Sequence, residues 1–167
     1  GLAGQRSVPD GSALMMTFDN GGGNKIDAFL KASVTYEAKG PESATSRDVE
    51  VGVALDNTAP ADGLPDYVIG SLNPTPRGTS RIMVTLYSSS PITSVNTDAT
   101  VTSTASIGRW HGWYTWAQWV DIPAGGRVKL TASTITSGTK PPTLIMPAAS
   151  QPISADYVGY ANEPSNT

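Results

Sequence analysis

The sequence predicts an all-β protein, an immunoglobulin- or fibronectin-like β-sandwich of about seven to nine strands. Three observations support this fold class. Apolar and polar residues alternate with a period of two in several runs, which places one set of side chains on each face of a strand. Turn-forming residues separate these runs, and the 167 residues include 17 Gly and 13 Pro. No window of about 12 residues has the apolar spacing of an amphipathic helix.

Nine runs of the chain are predicted as strands. The clearest run covers residues 47–56, where apolar side chains at alternate positions share one face and acidic side chains occupy the other. The runs 30–38 and 80–87 follow the same pattern. The remaining runs, in chain order, are residues 14–18, 92–95, 100–105, 113–122, 127–135 and 143–146.

The helical content is predicted to be one short helix of about two turns at residues 24–30, in which Asn24 caps the first turn. The length of the chain suits one domain. We therefore expect residues 1–150 to form a single β-sandwich domain, with residues 1–30 as a lead-in segment that includes the helix. Residues 151–167 show little periodicity and are predicted to form an extended C-terminal tail.

Charge and residue types exclude several classes of function. The formal net charge is −3, and the 11 Lys and Arg residues are scattered along the chain. Nucleic-acid binding needs clustered positive charge, so no nucleic-acid partner is expected. The chain has no Cys, which excludes disulfides, thiolate catalysis and zinc–cysteine sites. No stretch is long and apolar enough to cross a bilayer, so no direct membrane insertion is expected in this segment.

The chain is predicted not to be an enzyme and to need no cofactor or metal. His111 is the only histidine, and no Gly-x-Ser-x-Gly nucleophile motif accompanies it. The glycine run 21–23, followed by Asn24 and Lys25, lacks the spacing of a phosphate-binding P-loop and indicates a flexible turn. A glycosidase needs only two carboxylates, and the 14 acidic residues leave that alternative open.

All four tryptophans fall within residues 110–119. On an extended strand, Trp113 and Trp119 share one face, whereas Tyr114 and Trp116 share the other face with the apolar residues at positions 120 and 122. Because those two residues have the character of core residues, we expect Tyr114 and Trp116 to point inward. Trp113 and Trp119 are then expected on the outer face of the sheet.

Exposed indoles suit stacking on the apolar faces of sugar rings or anchoring of a protein partner. The predicted ligand-binding residues are therefore Trp110, His111, Trp113 and Trp119. The alternative is that these side chains cover an edge of the core, since tryptophan is an ordinary core residue of β-sandwiches.

The segment from Asn57 to Tyr67 is predicted to be a structured loop rather than a site. Its side chains suit turns, with Asn57 and Asp62 as caps, and its prolines fix the path of the chain. We expect apolar residues to hold it on the core: Leu64, Tyr67 and Val68. The alternative is that its carboxylates, Asp62 and Asp66 together with Asp56, bind calcium or act as an acid/base pair.

Three segments, residues 24–30, 55–68 and 119–126, resemble in their order and spacing the C-terminal part of actinobacterial envelope proteins of the "domain of unknown function 4012" family. The most specific piece is Asn-Thr-Ala-Pro-Ala-Asp-Gly-Leu-Pro-Asp-Tyr-Val at residues 57–68. The opening Gly-Leu-Ala-Gly is also similar, so the resemblance covers residues 1–151, nearly the whole chain. The tryptophan-rich segment 108–119 departs from the family's pattern.

This resemblance implies a high-GC Gram-positive source, an exported or membrane-tethered parent protein and a location in the cell envelope. Proteins of this family are considered alongside those that build or attach wall polysaccharides, and the family's function is not established. No catalytic residue is therefore carried over from it.

The leading functional hypothesis is a non-catalytic, exported module of a cell-envelope protein that supports assembly or contacts wall polymers. Its partners would be cell-wall glycan or other domains of the parent protein. One alternative is a carbohydrate-binding module that uses an exposed tryptophan strand. Another is a structural subunit of a surface assembly or capsid, in which the termini pair with neighbouring subunits.

Overall fold

The computed structural model describes residues 12–101, 103–138, 140–145 and 153–159. It confirms the predicted all-β fold, with two mixed sheets stacked as a sandwich. Eleven strands lie in the described part of the chain: β1 (Ala13–Asn20), β2 (Leu30–Ala38), β3 (Ser46–Asn57), β4 (Ser80–Ser88), β5 (Ser94–Thr97), β6 (Thr100–Val101), β7 (Ser106–Trp110), β8 (Trp113–Ile122), β9 (Arg127–Ser137), β10 (Thr143–Ile145) and β11 (Ile153–Val158).

The six-stranded sheet has the order β10-β1-β4-β8-β6, and β7 pairs with the other part of the free edge of β8. The five-stranded sheet has the order β11-β2-β3-β9-β5. Most neighbours are antiparallel, but β10 runs parallel to β1 and β11 runs parallel to β2. The mixed character of each sheet therefore comes from its edge strand nearest the C-terminus.

The core between the sheets follows the predicted alternation. On β3 the buried side chains are Val49, Val51, Val53 and Leu55, and on β4 they are Ile82, Val84 and Leu86. Burying such a side chain contributes about 1.5–3 kcal/mol, so one fully apolar face fixes the register of each strand. The core is continuous across both sheets and includes Trp116, Val120 and Ile122 of β8.

A second, smaller core lies beside the sandwich. It consists of Ile26, Ala59 and Ile69, with Phe29, Leu64 and Val68 packed against it. Ile26 belongs to a 3₁₀ turn, Ile26–Phe29, within the predicted helical segment, and the backbone N–H of Ile26 donates to Asn24 Oδ1 over 3.3 Å. Ile69 belongs to α1 (Asp66–Ile69), a single turn that the sequence did not predict because one turn has no apolar period.

The structure contains more strands than the seven to nine predicted. β7 was not predicted, because all five of its residues are exposed and show no alternation. β11 falls in the segment assigned to the extended tail, where it pairs with β2 and buries Tyr157 against Tyr36. Parts of these predicted segments lie outside the described residues: residues 1–11 of the lead-in segment, residue 102 of the run 100–105, Met146 of the ninth run, and residues 151, 152 and 160–167 of the tail.

Candidate functional site

Strands β7 and β8 form a hairpin whose turn consists of His111 and Gly112. Trp110 pairs directly with Trp113 across the turn. The φ angles of His111 and Gly112 are 46° and 90°, which are the two positive values of a type I′ turn. Glycine adopts this region without strain, and histidine is one of the few other residues that tolerate it. The dipeptide therefore projects the aromatic residues that flank it at one end of the six-stranded sheet.

Three rings, from β4, from β7 and from the hairpin turn, meet at this end of the sheet. The Trp110 indole lies edge-on to the His111 ring, with centroids 4.5 Å apart, and edge-on to the Tyr87 ring of β4, with centroids 5.8 Å apart. Edge-to-face contacts of this kind are worth roughly 0.5–1.5 kcal/mol beyond the area they bury. The indole of Trp110 is 40% exposed, so it is held by its neighbours while part of its surface faces solvent.

Tyr87 is the member of this cluster that sequence reasoning missed. It lies on the outer face of β4, where it pairs with Met15 of β1 and Thr115 of β8. Burial raises the pKa of the Tyr87 hydroxyl, and the charge of Asp19 raises it further, against an opposing hydrogen bond with Thr17. The phenol therefore stays neutral at physiological pH. The alternation of Tyr87 with the buried Leu86 indicated that Tyr87 lies on the outer face of β4. Its contact with Trp110 could not be predicted, because the residues of β7 show no alternation of apolar and polar types.

The prediction that Trp113 offers an exposed indole is wrong. Trp113 and Trp116 do lie on opposite faces of β8, and Trp116 is buried in the core as expected. However, Trp113 is itself 0% exposed, so the outer face of the sheet is covered at the position where β8 begins. A buried indole has no free face for a ligand, and Trp113 is a packing residue in this structure.

Trp119 lies at the other end of β8, opposite Met83 of β4, and is half-buried. Its ring covers Gly21, where a Cβ atom would lie only 2.8 Å from Cη2 of the indole. The absent side chain of Gly21 therefore makes the space that Trp119 occupies. Of the four residues predicted to bind a ligand, the structure brings Trp110, His111 and Trp113 together at the hairpin and places Trp119 apart from them.

The opposite face of the hairpin is also exposed. The Arg109 guanidinium lies 4.0 Å from the centre of the Tyr114 ring, and its Nη2 donates to the Gly112 carbonyl oxygen over 3.0 Å. Tyr114 is only half-buried, whereas the alternation of side chains along the strand predicted that it points into the core. The reason is that the hairpin extends past the buried part of the sandwich, as the 79% exposure of Ile107 on the same face shows.

The predicted structured loop begins at Asn57, which is 1% exposed. Its Nδ2 lies 2.7 Å from Gly78 O, 2.9 Å from Ile122 O and 3.0 Å from Pro123 O. Its Oδ1 accepts from the backbone N–H of Ala59 over 3.1 Å. One amide thus joins three segments and also closes the turn from Asn57 to Ala59.

Two other residues of this loop differ from their predicted roles. Tyr67 was expected to hold the loop on the core, yet its side chain is 70% exposed, and Leu64 and Val68 are the residues that pack against the second core. Asp62 is exposed. Asp66 at the start of α1 forms an ion pair with Arg77, so the structure gives that carboxylate a cationic partner rather than a second carboxylate.

The described residues contain no group of three or more His, Asp or Glu side chains arranged to hold a metal ion. None of the helices in this part of the chain has the length and apolar character needed to cross a membrane.

The chain matches no protein-family model. No curated protein matches it significantly. Among solved structures, it is similar to a Legionella pneumophila protein provisionally named a nutrient-binding protein, with 12% sequence identity and a TM-score of 0.37. The aligned region covers 76% of this chain and 44% of the Legionella chain, so this chain spans less than half the length of that protein.

Proposed function

We propose that this chain is a non-catalytic, exported module of a cell-envelope protein that contacts wall polymers through the β7–β8 hairpin. The observation that carries the proposal is the indole of Trp110, which is partly exposed and fixed by Tyr87 and His111. The envelope location is supported by the resemblance of residues 24–30, 55–68 and 119–126 to actinobacterial envelope proteins.

A fixed indole suits a sugar polymer for a physical reason. The C–H groups on one face of a pyranose ring form an apolar surface, which stacks on an aromatic ring and leaves the hydroxyls in water. Because Trp110 is already held by two other rings, it loses little side-chain entropy when a ligand binds. A single aromatic platform gives weak affinity, with Kd on the order of 1 mM, which suits repeated contacts along a polymer.

The proposal is tested by co-sedimentation of the chain with insoluble cell-wall polysaccharide from a high-GC Gram-positive bacterium. We expect Trp110→Ala to lower the bound fraction at least fivefold, whereas Ile107→Ala leaves it unchanged. Ile107 is a matched control, since it lies on the same strand with an exposed apolar side chain on the opposite face. Equal binding by the Trp110→Ala variant and the wild type, or no binding by either, would refute the proposal.

A structural subunit of a surface assembly is the second candidate, and one observation favours it. The edge formed by β6 and β7 carries two exposed apolar side chains, Val101 and Ile107, which are 46% and 79% exposed. Exposed apolar groups on an unpaired strand edge favour association with another chain. Analytical ultracentrifugation separates the two candidates: a subunit self-associates and is dispersed by Ile107→Lys, whereas a wall-binding module sediments as a monomer with or without that change.

A further inference from the structure

We propose that a second binding site, for a neutral sugar of one or two rings, lies at the end of the six-stranded sheet opposite the β7–β8 hairpin. The site is a cleft between the glycine run 21–23, which follows β1, and the segment from α1 to Arg77. Its volume is about 450 Å³, within the range of roughly 300–1,000 Å³ that small-molecule sites occupy. This proposal does not depend on the function proposed for the hairpin.

The cleft presents two large apolar side chains to solvent. Tyr67 is 70% exposed and Leu72 is 88% exposed, and both line the cavity. Other apolar side chains near this cleft contact the second core: Ile69 belongs to it, and Leu64 and Val68 pack against it. An aromatic ring and an aliphatic group beside one cavity provide the surface that stacks on the C–H face of a sugar.

Polar groups on the same wall select for a ligand without charge. Asp66 and Arg77 form an ion pair, and Arg77 Nη2 also donates to Leu64 O over 2.7 Å. The charges of the pair cancel, so the cleft has no excess positive charge to attract a phosphate or another anion. The pair still offers carboxylate oxygens as acceptors and guanidinium N–H groups as donors, and a pair of vicinal sugar hydroxyls can use both.

Thr75 supplies one more polar group. Its Oγ1 is buried and has no hydrogen-bond partner among the described residues, although Thr75 lines the cleft. A buried hydroxyl without a partner costs about 1–3 kcal/mol. A ligand hydroxyl within reach of Thr75 Oγ1 would give this group the partner that it lacks.

The two walls of the cleft are tied together before any ligand arrives. The backbone N–H of Leu72 donates to Gly22 O over 3.1 Å, and Asn73 Nδ2 donates to Gly21 O over 2.7 Å. Asn24 Nδ2 donates to Gly70 O, and Asn20 Nδ2 donates to Asn24 Oδ1 over 3.1 Å. Such pre-organisation lowers the entropy lost on binding.

Gly23 shows that the shape of the cleft depends on glycine. Its φ is +68°, and a Cβ atom added there would lie 2.5 Å from Leu72 Cδ1. Gly23→Ala would therefore both strain the backbone and displace Leu72 from the wall. The glycine run that fails as a phosphate-binding motif is instead used to seat an exposed apolar side chain.

Titration of the ¹⁵N-labelled chain with soluble sugars tests the site. The probes are N-acetylglucosamine, galactose, mannose and arabinose with their disaccharides, and glucose 6-phosphate as the anionic comparison. We expect at least one neutral sugar to shift the amide resonances of Gly22, Gly23, Tyr67 and Leu72. Tyr67→Ala and Leu72→Ser should each weaken this binding at least fivefold, and both positions are exposed enough for the fold to tolerate the change.

The matched control is Trp110→Ala, which should leave the sugar titration unchanged. The proposal is overturned if no neutral sugar moves these resonances at about 50 mM, if the shifts survive Tyr67→Ala, or if glucose 6-phosphate binds as tightly as the neutral sugars. Sugar binding that disappears with Trp110→Ala instead of Tyr67→Ala also overturns it. The polymer co-sedimentation is read out with Trp110→Ala and the sugar titration with Tyr67→Ala and Leu72→Ser, so failure of either proposal is distinguishable from failure of the other.

Discussion

Arg81 of β4 and Asp121 of β8 form an ion pair with two hydrogen bonds across the outer face of the six-stranded sheet. Arg81 Nε lies 2.7 Å from Asp121 Oδ1, and Arg81 Nη2 lies 2.6 Å from Asp121 Oδ2. The two side chains are 18% and 14% exposed, and the hydrogen bonds raise the pKa of the guanidinium. Because Arg81 O also accepts from the backbone N–H of Gly21, the pair stabilises the strand ends that lead to the cleft.

Asp121→Asn should lower the free energy of unfolding by about 2 kcal/mol, since it removes charge from two hydrogen bonds that water cannot easily replace. Glu50→Gln is the matched control. It removes the Lys39–Glu50 pair, whose 2.9 Å contact is similarly short but whose side chains are 53% and 41% exposed, and it should cost much less than Asp121→Asn does, because water screens an exposed pair. Urea unfolding measures both, and equal losses would contradict the argument from burial.

Asn57→Asp should destabilise the chain by at least about 3 kcal/mol, and by more than Asn57→Ala does. The aspartate places a negative charge among the carbonyl oxygens of Gly78, Ile122 and Pro123, where the amide now donates. Alanine leaves the same oxygens without a donor but adds no charge. Urea unfolding at pH 7 compares the free energies of unfolding of the two variants. If the aspartate variant is the more stable one, the hydrogen bonds that the Asn57 amide donates do not hold this loop in place.

Gly21→Ala should cost about 1–3 kcal/mol, because its Cβ atom would overlap the Trp119 ring. The double variant with Trp119→Leu should lose less than the sum of the two single changes, since the smaller side chain removes the overlap. Gly52→Ala is the control within a strand, because its Cβ atom would meet Thr35 at an ordinary 3.8 Å. Strict additivity of Gly21→Ala and Trp119→Leu in thermal unfolding would rule out the steric explanation.

Asp27 predicts a pH-dependent term in stability. Burial raises the pKa of its carboxyl above the ordinary value of 3.8, the charge of Asp19 adds to this, and a hydrogen bond with Asn20 opposes it. A carboxyl whose pKa is higher when folded contributes stability below its unfolded pKa and loses it as the pH rises through the folded value. The wild type should therefore gain stability relative to Asp27→Asn as the pH falls from 7 to about 3.

Urea midpoints of the wild type and Asp27→Asn across this pH range measure the difference. Because both chains share every other titrating group, their difference isolates residue 27. A flat difference, or one that favours Asp27→Asn at low pH, would show that burial does not control this carboxyl.

The strands with one buried face were predictable because burial imposes the period of two. Residues 30–38 coincide with β2, and residues 47–56 and 80–87 lie within one residue of the bounds of β3 and β4. β7 gave no such signal because both of its faces meet solvent. β11 depends on pairing with β2, and a partner so distant in the chain leaves no mark on a local pattern.

The candidate sites show the same limit. The alternation of side chains along a strand correctly placed Trp113 and Trp116 on opposite faces of β8. It carried no information about what covers the outer face, where Trp113 is buried. The glycine run 21–23 and the loop that contains Asp66 each stood out in the sequence as a separate segment. Only the folded chain shows that they line one cleft with Leu72 and Arg77.

The parallel pairing of the edge strands has a consequence for how the chain folds. β10 adds to β1 and β11 adds to β2, so each sheet takes its last strand from the distal part of the chain. Such long-range closures are slow, because the entropy of the loop is lost before the contacts form. Until then the edges of β1 and β2 stay open to pairing with another chain. Arg47 Nη2 donates to Gly159 O over 2.7 Å and so helps to hold the end of β11 in place once the strand has paired.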